Sequence, residues 1–360
     1  MKTMYKILLF LLFLPFISNA TETERDGKYT KNKVINKEFN VNNDAMLTIS
    51  NKYGNIGIAT WNENRIVIKV SITTNGNDEE KVEKRLEQIR VEFDGNSNYV
   101  SAETIIEKSS SSWSLWGKSN NVSMEIDYLI QMPVTNNVNL NNDYGSISID
   151  KLEGSSKINC DYGKLTIGEL LNSKNEINID YTNKSEIEFM KDGYINADYS
   201  TLHIGKSGRT KLNADYSHIS FGMLTTLDYN CDYGDLKIED CGNLTGNSDY
   251  MHTSIGKLRG SGVFDMDYGS LKINDIGENL KSLSVKSSYT QLKIGVNPNA
   301  SFNITASLSY GGFKYGNGFT FNKEIVKSSS KYYEGYYNTP NSNGNILIKS
   351  SYGSITFFNN

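Results

Sequence analysis

Cysteine, proline, histidine and long apolar runs are all scarce in this chain, and each scarcity closes off a class of protein. Three cysteines in 360 residues cannot all pair, so no disulfide framework is expected. Cys160 and Cys231 hold the same position four repeat units apart, roughly 19 Å at ~4.8 Å per rung, which is beyond any disulfide. Cys231 with Cys241 stays open as a pair, but burial as a small hydrophobe suits all three better. No stretch after residue 20 approaches the length of a membrane span. Positive charge is short as well: the net charge of −4 becomes two units more negative once a leader with two lysines is removed, so neither nucleic acid nor an anionic membrane is an expected partner.

That leader occupies residues 1–20. Lys2 and Lys6 precede the apolar run Ile7 to Phe16, and Ser18-Asn19-Ala20 supplies a small-residue cleavage site, the order expected of a secretory signal. Cleavage after Ala20 leaves a soluble, exported chain with no integral membrane segment. No cysteine follows the apolar run to carry a lipid anchor.

Four prolines, 30 glycines and 23 tyrosines describe a protein of extended strands, with tyrosine and β-branched residues on pleated surfaces and glycine at corners. Tyrosine recurs in one setting, most fully I-N-x-D-Y-G-x-L-x-I. The copies are Tyr144, Tyr162, Tyr181, Tyr199, Tyr216, Tyr233, Tyr250, Tyr268, Tyr289 and Tyr310, with outliers at Tyr53 and Tyr352. Consecutive spacings of 18, 19, 18, 17, 17, 17, 18, 21 and 21 residues mark one short unit stacked many times, which is a solenoid. One such unit cannot stand alone, because fixing some 17 residues costs on the order of 1–2 kcal/mol each.

Alternation assigns the faces of a unit. Ile158, Cys160 and Tyr162 share one parity, Asn159 and Asp161 the other, and Leu165 and Ile167 resume inward after a flip. The expected corner is therefore the small residue after each tyrosine, with the tyrosines stacked inside. Upstream, residues 21–137 read as a β-rich region with one helix at about 78–89: Asn77 and Glu80 resemble a capping box, and Val82, Leu86 and Ile89 share a face. Residues 138–360 read as the regular array, interrupted at 328–344 by a tyrosine-rich insertion.

The D-Y-G/S-x-L-x-I copies from Asp143 to Ile294, the opening Leu47-Thr48-Ile49-Ser50-Asn51-Lys52-Tyr53-Gly54 and the ending Lys349-Ser350-Ser351-Tyr352-Gly353 resemble the bacterial putative-adhesin families of β-strand repeats, including the head-domain type described as auto-transporter adhesin-like. The resemblance spans nearly all of the mature chain. It implies an all-β fold, a right-handed parallel β-helix or β-solenoid, in an exported bacterial protein of the periplasm or cell surface. It supplies no catalytic motif and no cofactor.

Two polar ladders line the outward side. Asn141, Asn159, Asn178, Asn196, Asn213, Asn230 and Asn247 are placed to share amide hydrogen bonds, as stacked asparagines do. Asp143, Asp161, Asp180, Asp198, Asp215, Asp232, Asp249 and Asp267 form the other; carboxylates ~5 Å apart repel, and the expected relief is a backbone N–H at each aspartate's own corner rather than shared Ca²⁺. Paired carboxylates also suggest glycan hydrolysis or cleavage by a lyase, but such catalysis needs two carboxyls in unlike environments, and these are copies. His218 and His252 sit about 10 Å apart on units two removed, and His203 is offset, so exposed corners are expected and no metal site. Trp113 and Trp116 in the Ser-rich stretch 108–121, with Tyr332, Tyr333, Tyr336 and Tyr337 in the insertion, stand in polar sequence and are the candidate ligand-binding rings. The expected function is a non-enzymatic adhesin-like binding or scaffold protein of the cell envelope, its partner an envelope glycan or protein. A polysaccharide-active enzyme and a structural spacer are the alternatives.

Overall fold

The computed structural model describes residues 27–107 and 122–359. The leader and its cleavage site, and the stretch holding Trp113 and Trp116, lie outside the described residues. The described chain is nearly all β: its strands join in one 25-stranded open sheet, with a single helix among the described residues.

The chain divides into two units. The smaller comprises the residues up to Lys33 together with Ile72–Ile89 and Ile106–Glu125. It carries helix α1, Glu79–Glu87, whose N-cap is Asp78, not Asn77: the Asp78 carboxylate accepts the Lys81 N–H. Asn77 instead accepts the Lys28 N–H at 3.1 Å. Acidic residues in the first turn and Lys84 and Arg85 in the last suit the helix dipole. Val82 is the buried residue of the helix, and the buried Ile89 already opens the next strand, Ile89–Gly95. Asn75 ties the first described residues to this unit through Gly27, Tyr29 and Thr30.

The larger unit is Val34–Ser71, Arg90–Ile105 and Ile126–Asn360. Each repeat contributes one strand to each of two parallel rows. Ser156–Asp161 pairs in register with Asn137–Asp143 on one side and Asn175–Asp180 on the other. Leu165–Leu170 pairs likewise with Ile147–Leu152 and with the start of Ser185–Asp198. Tyr53 belongs to the stack as fully as its later copies, because Met46–Lys52 and Ile56–Trp61 pair with Asn137–Asp143 and Ile147–Leu152. Alternate residues are buried as expected, Ile158 and Cys160 from one strand and Leu165 and Ile167 from the next. At roughly 1.5–3 kcal/mol for each fully buried aliphatic side chain, burial against the neighbouring rungs is what offsets the cost of ordering a unit.

The tyrosines overturn the sequence reading. Every one of the twelve has positive φ, from 49° to 61°, and so is itself the corner. A left-handed residue reverses side-chain alternation at its own position, which turns the ring outward and the following residue inward. Thr182, Ser200, Ser217, Met251 and Thr290 accordingly follow tyrosine and are buried. Where glycine follows, an added Cβ at Gly145, Gly163, Gly234 or Gly269 would fall 1.8–2.2 Å from a carbonyl oxygen of the adjacent rung. The rungs touch here. The inward tyrosines are other ones, such as Tyr229, whose ring fills the space left by Gly246.

At the far end the order in space departs from the order in sequence. Gly344–Ser351 lies between Ser282–Ser288 and Phe302–Ser309, pairing in parallel with both. Ser354–Asn359 is inserted in the same way between Gln291–Val296 and Gly312–Lys314. The intervening insertion is a hairpin and not a polar loop: Ser330–Tyr337 pairs antiparallel with Phe302–Ser309 and with Phe319–Val326. Phe319–Val326 is largely exposed and carries Lys323 and Glu324, charges of the kind that blunt an open strand edge.

Removing residues 340–360 would strip out both inserted strands and the buried Ile346, Ile348, Ile355 and Phe357. The expected loss is about 5 kcal/mol or more, read by denaturant unfolding. A truncated chain as stable as its parent would mean that Phe302–Ser309 closes directly onto Ser282–Ser288.

Candidate functional site

The outward corners align into one column of tyrosine rings. From Tyr53 through Tyr144 to Tyr289, then Tyr352 and last Tyr310, neighbouring centroids are 4.8–5.3 Å apart and ring planes agree within 10°. Fractional exposure runs from 38% at Tyr53 to 63% at Tyr310. Each ring between Tyr53 and Tyr310 has both faces covered by its neighbours, so along the column solvent meets a comb of ring edges and hydroxyls. Eleven steps give it a length on the order of 55 Å.

Backbone hydrogen bonds fix the comb. Tyrosine N–H groups reach across to the next rung, as Tyr144 does to the Asp161 carbonyl at 2.9 Å and Tyr216 to that of Asp232 at 3.0 Å, and at the end of the column Tyr310 reaches Ser329 of the insertion. The left-handed conformation costs roughly 1–2 kcal/mol for a residue with a Cβ, and stacked aromatic pairs return about 0.5–1.5 kcal/mol each. Since each pair is shared by two rings, the eleven pairs offset a large part of the strain of the twelve tyrosines. Partial desolvation first, then the neighbouring phenols and aspartates, raise the hydroxyl pKa of Tyr162, Tyr199 and Tyr233, which keeps them as neutral donors.

The aspartate column runs beside the rings. Relief of its repulsion is mixed: Asp198 accepts the N–H of Asp215 at 3.2 Å and Asp232 that of Asp249 at 2.9 Å, donors of the next rung, while at Asp180 the N–H of its own corner, Tyr181, favours the charged form as expected. Desolvation, then the adjacent carboxylates, raise the pKa of Asp161, Asp180, Asp215 and Asp249. Among the described residues no three ligand side chains converge as a metal ion needs. The asparagine column does share amides, Asn178 to Asn159 at 2.8 Å and Asn247 to Asn230 at 3.2 Å, with Asn159 bonded to Asn141. Sequence alternation also missed Asn51 and Asn142, which point inward and bond each other.

His203 and His252 contact Ser220 and Ser270 on the next rung, and His218 meets Asp235 at 2.8 Å, all three exposed. The three cysteines are free and buried, and burial pushes each thiol up to about 12. Of the candidate rings in the insertion, Tyr333 and Tyr337 are buried. They pack with Phe302, Phe313, Phe319 and Phe321 in an aromatic cluster beside the last rungs. Tyr332 and Tyr336 alternate with them and stay half-exposed, Tyr332 donating to Glu334 at 2.7 Å.

No family model matches this sequence, and no curated protein matches it. Among solved structures, a putative cell adhesion protein from Clostridium sporogenes is similar at 13% identity, covering 92% of this chain and 100% of that one with a TM-score of 0.19. A putative adhesin from Bacteroides fragilis is similar at 10% identity, covering 91% and 97% with a TM-score of 0.24. For a putative lipid binding protein from Parabacteroides distasonis the values are 10% identity, 92%, 98% and 0.29. At TM-scores this low none of the three carries weight for the function of this chain. No helix among the described residues is long and apolar enough to cross a membrane.

Two outcomes are expected of the column. Tyr216→Gly loses two ring contacts but sheds the left-handed strain, a net cost of about 1 kcal/mol, whereas Tyr216→Val loses the same contacts and worsens the strain, about 3 kcal/mol. Denaturant unfolding checks the order, which a buried core tyrosine would reverse.

The aspartates give a pH dependence. A carboxyl whose folded pKa is raised holds its proton more tightly in the folded state, so stability falls as pH rises from about 4 through the raised value. Asp215→Asn removes one charge between Asp198 and Asp232. It should raise Tm at pH 7 by about 1–2 °C and flatten the Tm profile between about pH 4 and 7.

Proposed function

We propose that this chain is an exported, non-enzymatic, adhesin-like binding or scaffold protein of the bacterial cell envelope, placed in the periplasm or at the cell surface, and that its two strand rows wind as a right-handed parallel β-solenoid. The observation that carries this reading is the tyrosine column. A catalytic centre gathers unlike groups at one point, while this surface repeats one group twelve times on a rigid backbone. Such a comb suits an extended partner engaged through many weak contacts at once, where avidity does what no single contact does. Tyrosine fits that task because its ring is stiff and its hydroxyl bonds polar ligands at small entropic cost.

Trp113, Trp116, Tyr332 and Tyr336 add ring surface to the same function, with Tyr333 and Tyr337 anchoring the hairpin that carries the last pair. The partner is an envelope glycan or protein.

The test is retention of the purified protein on a panel of envelope polysaccharides and envelope fractions, followed by assay of released reducing ends. Retention without release is expected. Release would make the chain an enzyme, and no retention on any surface would make it a spacer. Once a ligand is in hand, the double change Trp113→Ala, Trp116→Ala should weaken binding at least tenfold at unchanged Tm.

A further inference from the structure

Both polar ladders end before the stack does. Following the registered pairs, the aspartate position reads Asp249, Asp267, Ser288, Ser351, Ser309 and then Ser330 of the hairpin. The asparagine position reads Asn247, Asp265, Lys286, Lys349, Ser307 and then Tyr332. Over a few rungs a surface of carboxylates becomes one of hydroxyls and ammonium groups.

The serines, lysines and tyrosine of the last rungs line a groove of about 520 Å³ with no Asp or Glu in its own wall, Asp265 and Glu334 standing outside it on Lys286 and Tyr332. Four lysines belong to its wall: Lys286, Lys327, Lys331 and Lys349. The half-buried Lys331 is held by the Gly311 carbonyl at 2.7 Å, and Lys286 reaches Asp265 at 2.8 Å outside the groove. Lys327 and Lys349 are exposed and make no ion pair among the described residues. Tyr332 forms part of the wall, with the Lys323 ammonium 5.1 Å from the centre of its ring. Hydroxyl donors, the two unpaired ammonium groups of Lys327 and Lys349 and an aromatic face, on a chain whose net charge is −4, make a local anion site inside a repulsive field.

We propose that this groove binds the acidic groups of an anionic polysaccharide, carboxylates of uronate units in particular, with Lys327 and Lys349 as the pairing cations, the serine hydroxyls as donors and Tyr332 against a sugar ring. It rests on the glycan-binding reading above and fixes the ligand's charge and its place on the fold. The acidic column next to the groove would repel the same acidic groups, so the ligand's charged contacts are confined to this end and its contacts along the comb fall on the tyrosine rings.

The test is equilibrium binding of a polyuronate oligomer by the full mature chain at low and moderate salt, compared with Lys327→Gln, Lys349→Gln and with the control pair Lys164→Gln, Lys272→Gln. Both pairs are exposed, and Tm checks that folding is intact. Expected are saturable binding that weakens with salt, at least a tenfold loss in the groove variant, and less than a twofold loss in the control. Equal losses in the two variants would mean diffuse attraction and overturn the assignment. Inorganic phosphate that binds as tightly as the oligomer would overturn a polymer as the ligand. If neutral envelope glycans are retained while the polyuronate is not, the groove proposal fails and the broader reading stands; if nothing is retained, both fail.

Discussion

The structure depends on a tyrosine held in a left-handed conformation. At that one residue the chain turns, side-chain alternation reverses, the backbone N–H reaches across to the next rung, and the ring leaves the core to lie on its neighbours. None of the four is independent. Without the turn both strands could not present apolar residues to one interior, and without neighbouring rings the strained φ would favour glycine. The strain is local and its compensation belongs to the stack, which is why the motif makes sense only in repetition.

The same repetition that builds the comb also aligns like charges. Eight aspartates in register are tolerated because they remain partly hydrated and because backbone donors from the adjoining rung reach some of them. Neutral asparagines show the opposite case, where alignment creates hydrogen bonds rather than repulsion. A stack thus amplifies whatever its outward positions carry. Changing those positions over the last rungs is enough to give one end of the stack a different electrostatic character.

Much of this was legible in the sequence. The period, the parallel stacking, the inward Ile, Leu and Cys positions and the helix follow from spacing and alternation alone. What failed was the place of the corner. Alternation counted Tyr162 inward with Ile158 and Cys160, since tyrosine has no reputation for positive φ. A signal was present all the same: the residue after tyrosine varies from Gly to Ser, Thr and even Met, which no obligatory left-handed position would allow, while the tyrosine never varies. The candidate rings in the insertion looked loop-borne because Ser, Asn and Gly surround them; a hairpin that buries Tyr333 and Tyr337 rests on pairing with distant Phe302–Ser309, which local pattern cannot reveal. The lysine groove was equally hidden, as its members come from four separate strands and turns.

The insertion of Gly344–Asn359 between earlier rungs bears on how such a chain lengthens over evolutionary time. A repeat duplicated in the middle finds a neighbour of its own kind on each side and simply adds a step. One duplicated beyond the inserted rung meets the antiparallel hairpin and has nowhere to stack. Growth and shrinkage are therefore channelled to the interior of the array, so the reach of the tyrosine comb can drift between lineages while its closing segment is inherited as a fixed part.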